Sequence, residues 1–280
     1  MSKLLRANFS RLKKEKAFWV AVMFMVGYCV ILALIFYHSL KKYGGNVLFD
    51  NLFIQGYGMS GTIALPGIVM AAVVSLFLGT EYSDGTIRNK LIIGHTRSAI
   101  YFSNFLTCAL IGVTLNIVYL VTACAIGLPL FGLPSMDTKI LLMTTVDGLL
   151  MYISYAAVFT FLSMLFANKT TSSIVAILSV VILMFVCMSF LSLLLQPEMT
   201  ELYEMVNGES VVSYGPNPHY VGGIKRMIYQ FVIDFLPTGQ SIQISFFTAT
   251  HWKLMALYSG IIIAGTNAAG MFLFRKKDLK

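Results

Sequence analysis

Six stretches of this sequence stay apolar long enough to cross a bilayer: residues 18–37, 56–80, part of 98–136, 140–168, 170–197 and 254–274. A spanning helix needs roughly 20 such residues, and within these stretches Asp147 is the single charged side chain. With 58% hydrophobic and 11% charged residues, the chain lies far from soluble domains, which carry about 25% charge. The runs are long and helical rather than short and alternating, which argues against a barrel, the other architecture that satisfies its backbone in lipid. The expected fold is an all-α integral membrane bundle of six transmembrane helices, forming one domain over residues 1–280.

The formal net charge of +8 invites a nucleic-acid reading, but its distribution argues against one. With the N-terminus in the cytoplasm, Lys41, Lys42, Lys139, Lys225, Arg226 and Lys253 fall outside. The other 14 Lys and Arg, from Lys3 to Lys280, fall inside. This is the positive-inside bias that sets orientation, and it puts both termini in the cytoplasm. The basic charge is topology, so no nucleic-acid partner is expected. Cys29, Cys108, Cys124 and Cys187 lie in apolar runs without metal or redox spacing. His38, His95, His219 and His251 form no ligand-spaced pair, so no metal site is expected. The first apolar run exceeds the 7–15 residues of a cleavable signal.

Between the second and third apolar runs lies a polar island, GTEYSDGTIRNKLIIGHTR, at residues 79–97. Glu81 and Tyr82 close the second span, and Ser83 or Asp84 can cap a new helix by accepting its free N–H groups. Ile87, Leu91 and Ile92 form one face; Arg88, Asn89 and Lys90 point elsewhere; Gly94 reads as a helix stop. Upstream, residues 1–16 are either an amphipathic helix on the inner leaflet, with Leu4, Leu5, Phe9 and Leu12 on one side, or simply a basic tail. Residues 56–61 match G-x-G-x-x-G but precede a span rather than follow a strand, so they read as a flexible lead into that span. Pro66 and Gly67 are placed to kink it. Residues 129–134 form the outer turn after the third span, and Asn104 and Asn116 within that span suit bonds between helices. Asp147 is placed at the outer interface, with a site role as the alternative.

Residues 198–253 make the sizeable outer loop. Glu198, Glu201, Glu204 and Glu209 open it, and Pro216 and Pro218 break it. Ile224, Met227, Ile228, Phe231, Val232 and Phe235 then recur with helical period, which predicts an amphipathic helix stopped by Pro237 and Gly239. A second short helix fits 240–250. The loop is either a lid over helix ends or a gate, with Phe231, Phe235 and Pro237 as gate residues. In the last span Ala256, Gly260, Ala264 and Ala268 form a small-residue ladder that suits packing within one chain or between two.

No G-x-x-x-x-G-K-[ST] occurs, which argues against an ATP-binding enzyme. The six-span layout, the N-terminal segment and the outer loop resemble permease subunits of type-2 ABC (ATP-binding cassette) transporters of bacteria. Glu81-Tyr82-Ser83-Asp84-Gly85-Thr86-Ile87 looks like their E-x-x-x-G-T-[IL] segment, and Pro237-Thr238-Gly239 like their Pro-Thr-Gly element. The resemblance implies a multi-pass protein of the cell membrane, a homodimer or pseudo-dimer with two separate ATPase subunits, and ATP and Mg in those partners rather than in this chain. It implies a coupling helix at 81–94, with Glu81, Asp84, Thr86, Ile87, Arg88, Lys90 and Leu91 as coupling residues, and Glu81 and Arg88 as the polar contacts. It also implies a path at the dimer centre, for which Met70, Phe77, Leu178, Met184, Phe185 and Asp147 are the candidates. Their apolar character suggests export of a hydrophobic or amphipathic peptide, drug or lipid. An ion-coupled carrier or channel, or a non-transporting scaffold, is the competing class.

Overall fold

The computed structural model describes residues 1–43, 47–166, 168–206 and 209–277. In chain order it runs α1 (Ser2–Leu12), α2 (Lys16–Tyr43), α3 (Phe49–Ile54), α4 (Leu65–Ser83), α5 (Thr86–Ile92), α6 (Arg97–Phe131), α7 (Thr138–Phe166) and α8 (Lys169–Leu194). Strands β1 (Met199–Val206) and β2 (Glu209–Pro216) follow, then α9 (Gly223–Phe235), α10 (Pro237–Ser245) and α11 (Trp252–Lys276). Six helices are long and apolar enough to cross a membrane: α2, α4, α6, α7, α8 and α11. An even number of crossings puts α1 and the end of α11 on one side, called here the termini face. Helix α7 is central; α6 and α11 flank it, α4 crosses it, and α8 lies along α4.

Several boundaries differ from the sequence reading, and proline accounts for two. The second span begins at Leu65-Pro66 instead of residue 56. Proline lacks an N–H, so it fits the first turn of a helix and starts α4 rather than kinking it. Pro129, expected in a turn, lies within α6, two residues before its end. There its missing N–H costs a single bond, and the turn moves to 132–137.

Residues 47–64 are not a loose loop. Phe49, Leu52, Phe53, Ile54 and Tyr57 are buried against α6 and α7. Irregular backbone at this depth needs partners within the protein. Tyr119 donates its hydroxyl to the Leu52 carbonyl at 2.7 Å, and Tyr152 to the Gly56 carbonyl at 3.0 Å. Gly148 on α7 lets the Tyr57 ring lie directly on the helix; a Cβ there would sit 1.9 Å from Tyr57 Cε1.

The 199–216 stretch, expected only as an acidic loop, is an antiparallel hairpin with Val206 opposite Glu209. The intervening Asn207-Gly208 and the side chains of Glu204 and Glu209 lie outside the described residues, as does Lys280. The small-residue ladder of α11 also resolves. Gly260, Ala264 and Ala268 are exposed, so they do not form a packing face within this chain.

The close seat of Tyr57 predicts that Gly148→Val lowers the melting temperature in detergent by several degrees, since overpacking costs about 1–3 kcal/mol. Gly27→Val, where an added Cβ meets no atom within 4 Å, should melt like the parent. Equal melting of both variants would reject this packing.

Candidate functional site

Three short-range devices fold the polar island. Helix α4 runs on to Ser83, Gly85 takes a left-handed φ of 66° as N-cap of α5, and Gly94 takes φ 94° after it. Left-handed backbone suits glycine because it lacks a Cβ. Ser83 and Asp84 are exposed and do not cap α5; Gly85 holds that position with no side-chain bond. Thr96 caps α6, its Oγ1 accepting from the Ala99 N–H at 3.3 Å. The chain thus turns twice at the termini face, with α5 as a short crosspiece between two spans.

Inside these turns sits a fully buried carboxylate, Glu81. Arg11 Nη1 of α1 lies 2.5 Å from its Oε1, and Lys90 Nζ of α5 donates to the same oxygen. Asn104 of α6 donates to Oε2 at 2.6 Å. Asn8 of α1 closes the cluster: it donates to Asn104 Oδ1 at 2.8 Å and accepts from Lys90 at 2.9 Å. The Arg11 guanidinium stacks 3.9 Å from the Phe77 ring centroid and donates to the Phe77 carbonyl at 3.2 Å. Cations near a helix C-terminus interact favourably with its dipole, and the end of α4 gains two. Burial pushes the Lys90 ammonium below its usual pKa, and Glu81 opposes that shift.

This geometry corrects the island as read from sequence. Glu81 and Lys90 face inward, so they position the crosspiece rather than offer contacts to a partner. Ile87 is buried and Leu91 half-buried, but Ile92 points the other way at 82% exposure, with Ile93 at 76%. Asp84, Arg88 and Asn89 share the open side, while Thr86 is half-buried. Helix α1 is amphipathic, yet Arg11 is drawn into the bundle instead of lying among headgroups. Basic side chains also close neighbouring helix ends. Arg97 donates to the Phe274 and Arg275 carbonyls of α11 at 3.2 and 3.1 Å. Lys277 donates to the Met164 carbonyl of α7 at 2.8 Å, and burial lowers its pKa.

On the opposite face, α9 and α10 form a helical hairpin that enters the bundle. Helix α9 descends along α8: Arg226 donates to the Leu194 carbonyl at 2.8 Å, Tyr229 stacks on Phe190 at 4.2 Å, and Ile233 packs with Cys187. Pro237 starts α10 instead of ending a segment, and α10 climbs back fully buried. Its polar side chains have partners throughout the climb. Thr238 accepts from Tyr155 at 3.2 Å, Gln240 donates to the Met255 carbonyl at 3.1 Å, and Ser245 accepts from the Gly61 N–H at 3.1 Å. Buried Asp234 accepts from Gln230 at 2.8 Å and from Gln243 at 3.1 Å, and it faces His251 Nδ1 at 2.9 Å. Phe231 and Phe235 pack against Tyr258, with ring centroids 5.5 and 5.6 Å away. The predicted stripe is therefore turned outward: Ile224, Met227, Ile228 and Phe231 are exposed, and Ile233 and Asp234 are the buried pair.

The candidate path residues do not converge. Met70 and Phe77 are buried in the core, Phe77 beneath Arg11, whereas Leu178 and Phe185 lie on the exposed side of α8 and Met184 is half-buried. Asp147 is buried in α7 at 3% exposure, and its Oδ2 has no hydrogen-bond partner among the described residues. The sequence reading missed the Asn8–Arg11 half of the Glu81 cluster. The available signal was Glu81 itself, because an acidic residue ending an apolar run is almost never buried unless paired.

Residues 4–187 match the family model described as ABC-2 family transporter protein. No curated protein matches the chain. The matched stretch includes every member of the Glu81 cluster. Glu81→Ala should cost roughly 3–5 kcal/mol by leaving buried cations unpaired. Arg11→Ala should cost less, because Lys90 still faces the carboxylate. The triple variant Arg11→Met/Glu81→Leu/Lys90→Met should recover most of the loss. Thermal unfolding in detergent reads all three, and parent-like melting of Glu81→Ala would reject the cluster as a structural anchor.

Proposed function

Because the chain belongs to the ABC-2 family of transporter proteins, as the membrane-embedded permease subunit of an ABC transporter, we propose that α5 is the element through which its ATP-binding cassette partner moves it. The carrying observation is the contrast between the two sides of α5. One side is locked by Glu81, Lys90 and Ile87; the other exposes Ile92 and Ile93 with Arg88, Asn89 and Asp84 around them. Adjacent exposed isoleucines ringed by polar groups have the composition of an interface anchor with its rim.

In this reading the termini face is cytoplasmic, consistent with the 14-to-6 distribution of basic residues. Two ATPase subunits bind ATP and Mg and carry out hydrolysis, and the permease pairs with a second copy. Movement of the partner pushes on α5. The ion cluster then passes that push to α1, α4 and α6 together, biasing the bundle between two arrangements. The α9–α10 hairpin, with Phe231, Phe235 and Pro237, is the gate on the opposite side. The cargo in this reading is hydrophobic or amphipathic and is exported across a bacterial cell membrane.

The test is co-purification with the neighbouring-gene ATPase, reading binding and ATPase activity. Ile92→Ser/Ile93→Ser should weaken binding about tenfold or more, since each buried isoleucine contributes about 1.5–3 kcal/mol. Arg88→Ala should weaken it less, and the melting temperature of both variants should match the parent. Unchanged binding by the double variant would sink the proposal for α5.

A further inference from the structure

Helix α9 stands between α8 and α11 and ends at Phe235, about halfway down the bundle. The tip residue Leu236 and Leu183 of α8 line one cavity. Leu183 is eleven residues from the α8 terminus at Leu194, or about 17 Å at 1.5 Å per residue. The hydrocarbon layer is about 30 Å thick, so the tip lies near its middle. Beneath it α8 and α11 border a cavity of about 420 Å³. Leu236 and Pro237 roof it, Phe159 backs it, and Leu183 and Gly265 flank it. Gly265 and its neighbour Ile261 are exposed on α11, while Leu183 is half-buried on α8, so the cavity opens sideways at the depth of lipid tails.

The lining selects the occupant. Its hydroxyl groups are already engaged: Ser179 donates to the Ala176 carbonyl at 2.7 Å, Thr266 to the Ile262 carbonyl at 2.7 Å, and Tyr155 to Thr238 at 3.2 Å. The donors of Ser179, Thr266 and Tyr155 are thus spent, and the rest of the lining is mostly apolar, which disfavours a charged or strongly polar ligand. Water has few partners there too, and an apolar cavity of about 150 Å³ already stays dry and takes up benzene. The medium at the opening is hydrocarbon. We propose that this cavity binds one acyl chain of a bilayer phospholipid, which enters between α8 and α11 and lies under the hairpin tip. The site depends on neither the transport direction nor the cargo. It gives the hairpin a lipid floor, which must be displaced whenever the tip descends.

The test uses the full chain in nanodiscs of phosphatidylcholine that carries a photoactivatable diazirine at mid-chain, with adducts mapped by mass spectrometry. Adducts are expected on Leu236 and Leu183, in addition to those that surrounding lipid makes on the exposed Ile182 and Phe185. Gly265→Phe, at a position where an added Cβ meets no atom within 4 Å, should reduce the Leu236 adduct about tenfold, equivalent to about 1.4 kcal/mol of binding. Ser179→Phe, filling the cavity from α8, should do the same. Adducts on Ile182 and Phe185 should persist in both variants. A wild-type pattern without Leu236 would overturn the proposal, whether the cavity is empty or covered by protein. So would a Leu236 adduct that survives both filling variants.

Discussion

A carboxylate withdrawn from water must find positive charge, and Glu81 imposes that demand on four helices at once. An isolated ion in a low-dielectric interior costs several kcal/mol, and a buried pair offsets this only with good geometry and further hydrogen bonds. Here Arg11, Lys90, Asn104 and Asn8 supply both. They come from α1, α5 and α6, and Glu81 itself from α4, so a shift of any one of these four helices alone breaks part of the cluster. The short crosspiece α5 has too few residues to be stable by itself. It becomes a rigid part of the bundle because its lysine is held from both sides.

The spans were legible because bilayer thickness imposes a length requirement that composition cannot hide. Their ends were less so. Pro66 and Pro129 read as kink and turn, yet both occupy helix positions where a missing N–H costs little. The β1–β2 hairpin has a sequence cue in the dipeptide Asn207-Gly208, which favours hairpin turns, whereas its glutamates belong to a residue type depleted in strands. The short helix expected over 240–250 is α10, but it starts earlier, at Pro237, and ends at Ser245. What sequence did not show is its burial, because its polar groups bond to carbonyls and side chains of distant elements rather than to water.

The island illustrates the same limit at residue level. Sequence identifies Glu81, Lys90 and Arg88 as a charged group near an apolar run, but charge alone does not say which side chains face inward. Helical spacing grouped Ile92 with Ile87 and Leu91, whereas one further residue of rotation turns it to the open side. In the same way the path residues were chosen for apolarity, which core, lipid-facing and pore-lining positions all share in a membrane protein.

The partners of the α9–α10 hairpin have a consequence for how this chain is made. Asp234 faces His251, and Gln240 donates to the Met255 carbonyl and accepts from Ser259, all of which lie later in the sequence. Until the last span is made, Asp234 keeps Gln230 and Gln243 as partners within the hairpin, but the bonds to the later residues cannot yet form. The hairpin's seat is therefore complete only once the last span, which packs along α7, has been made.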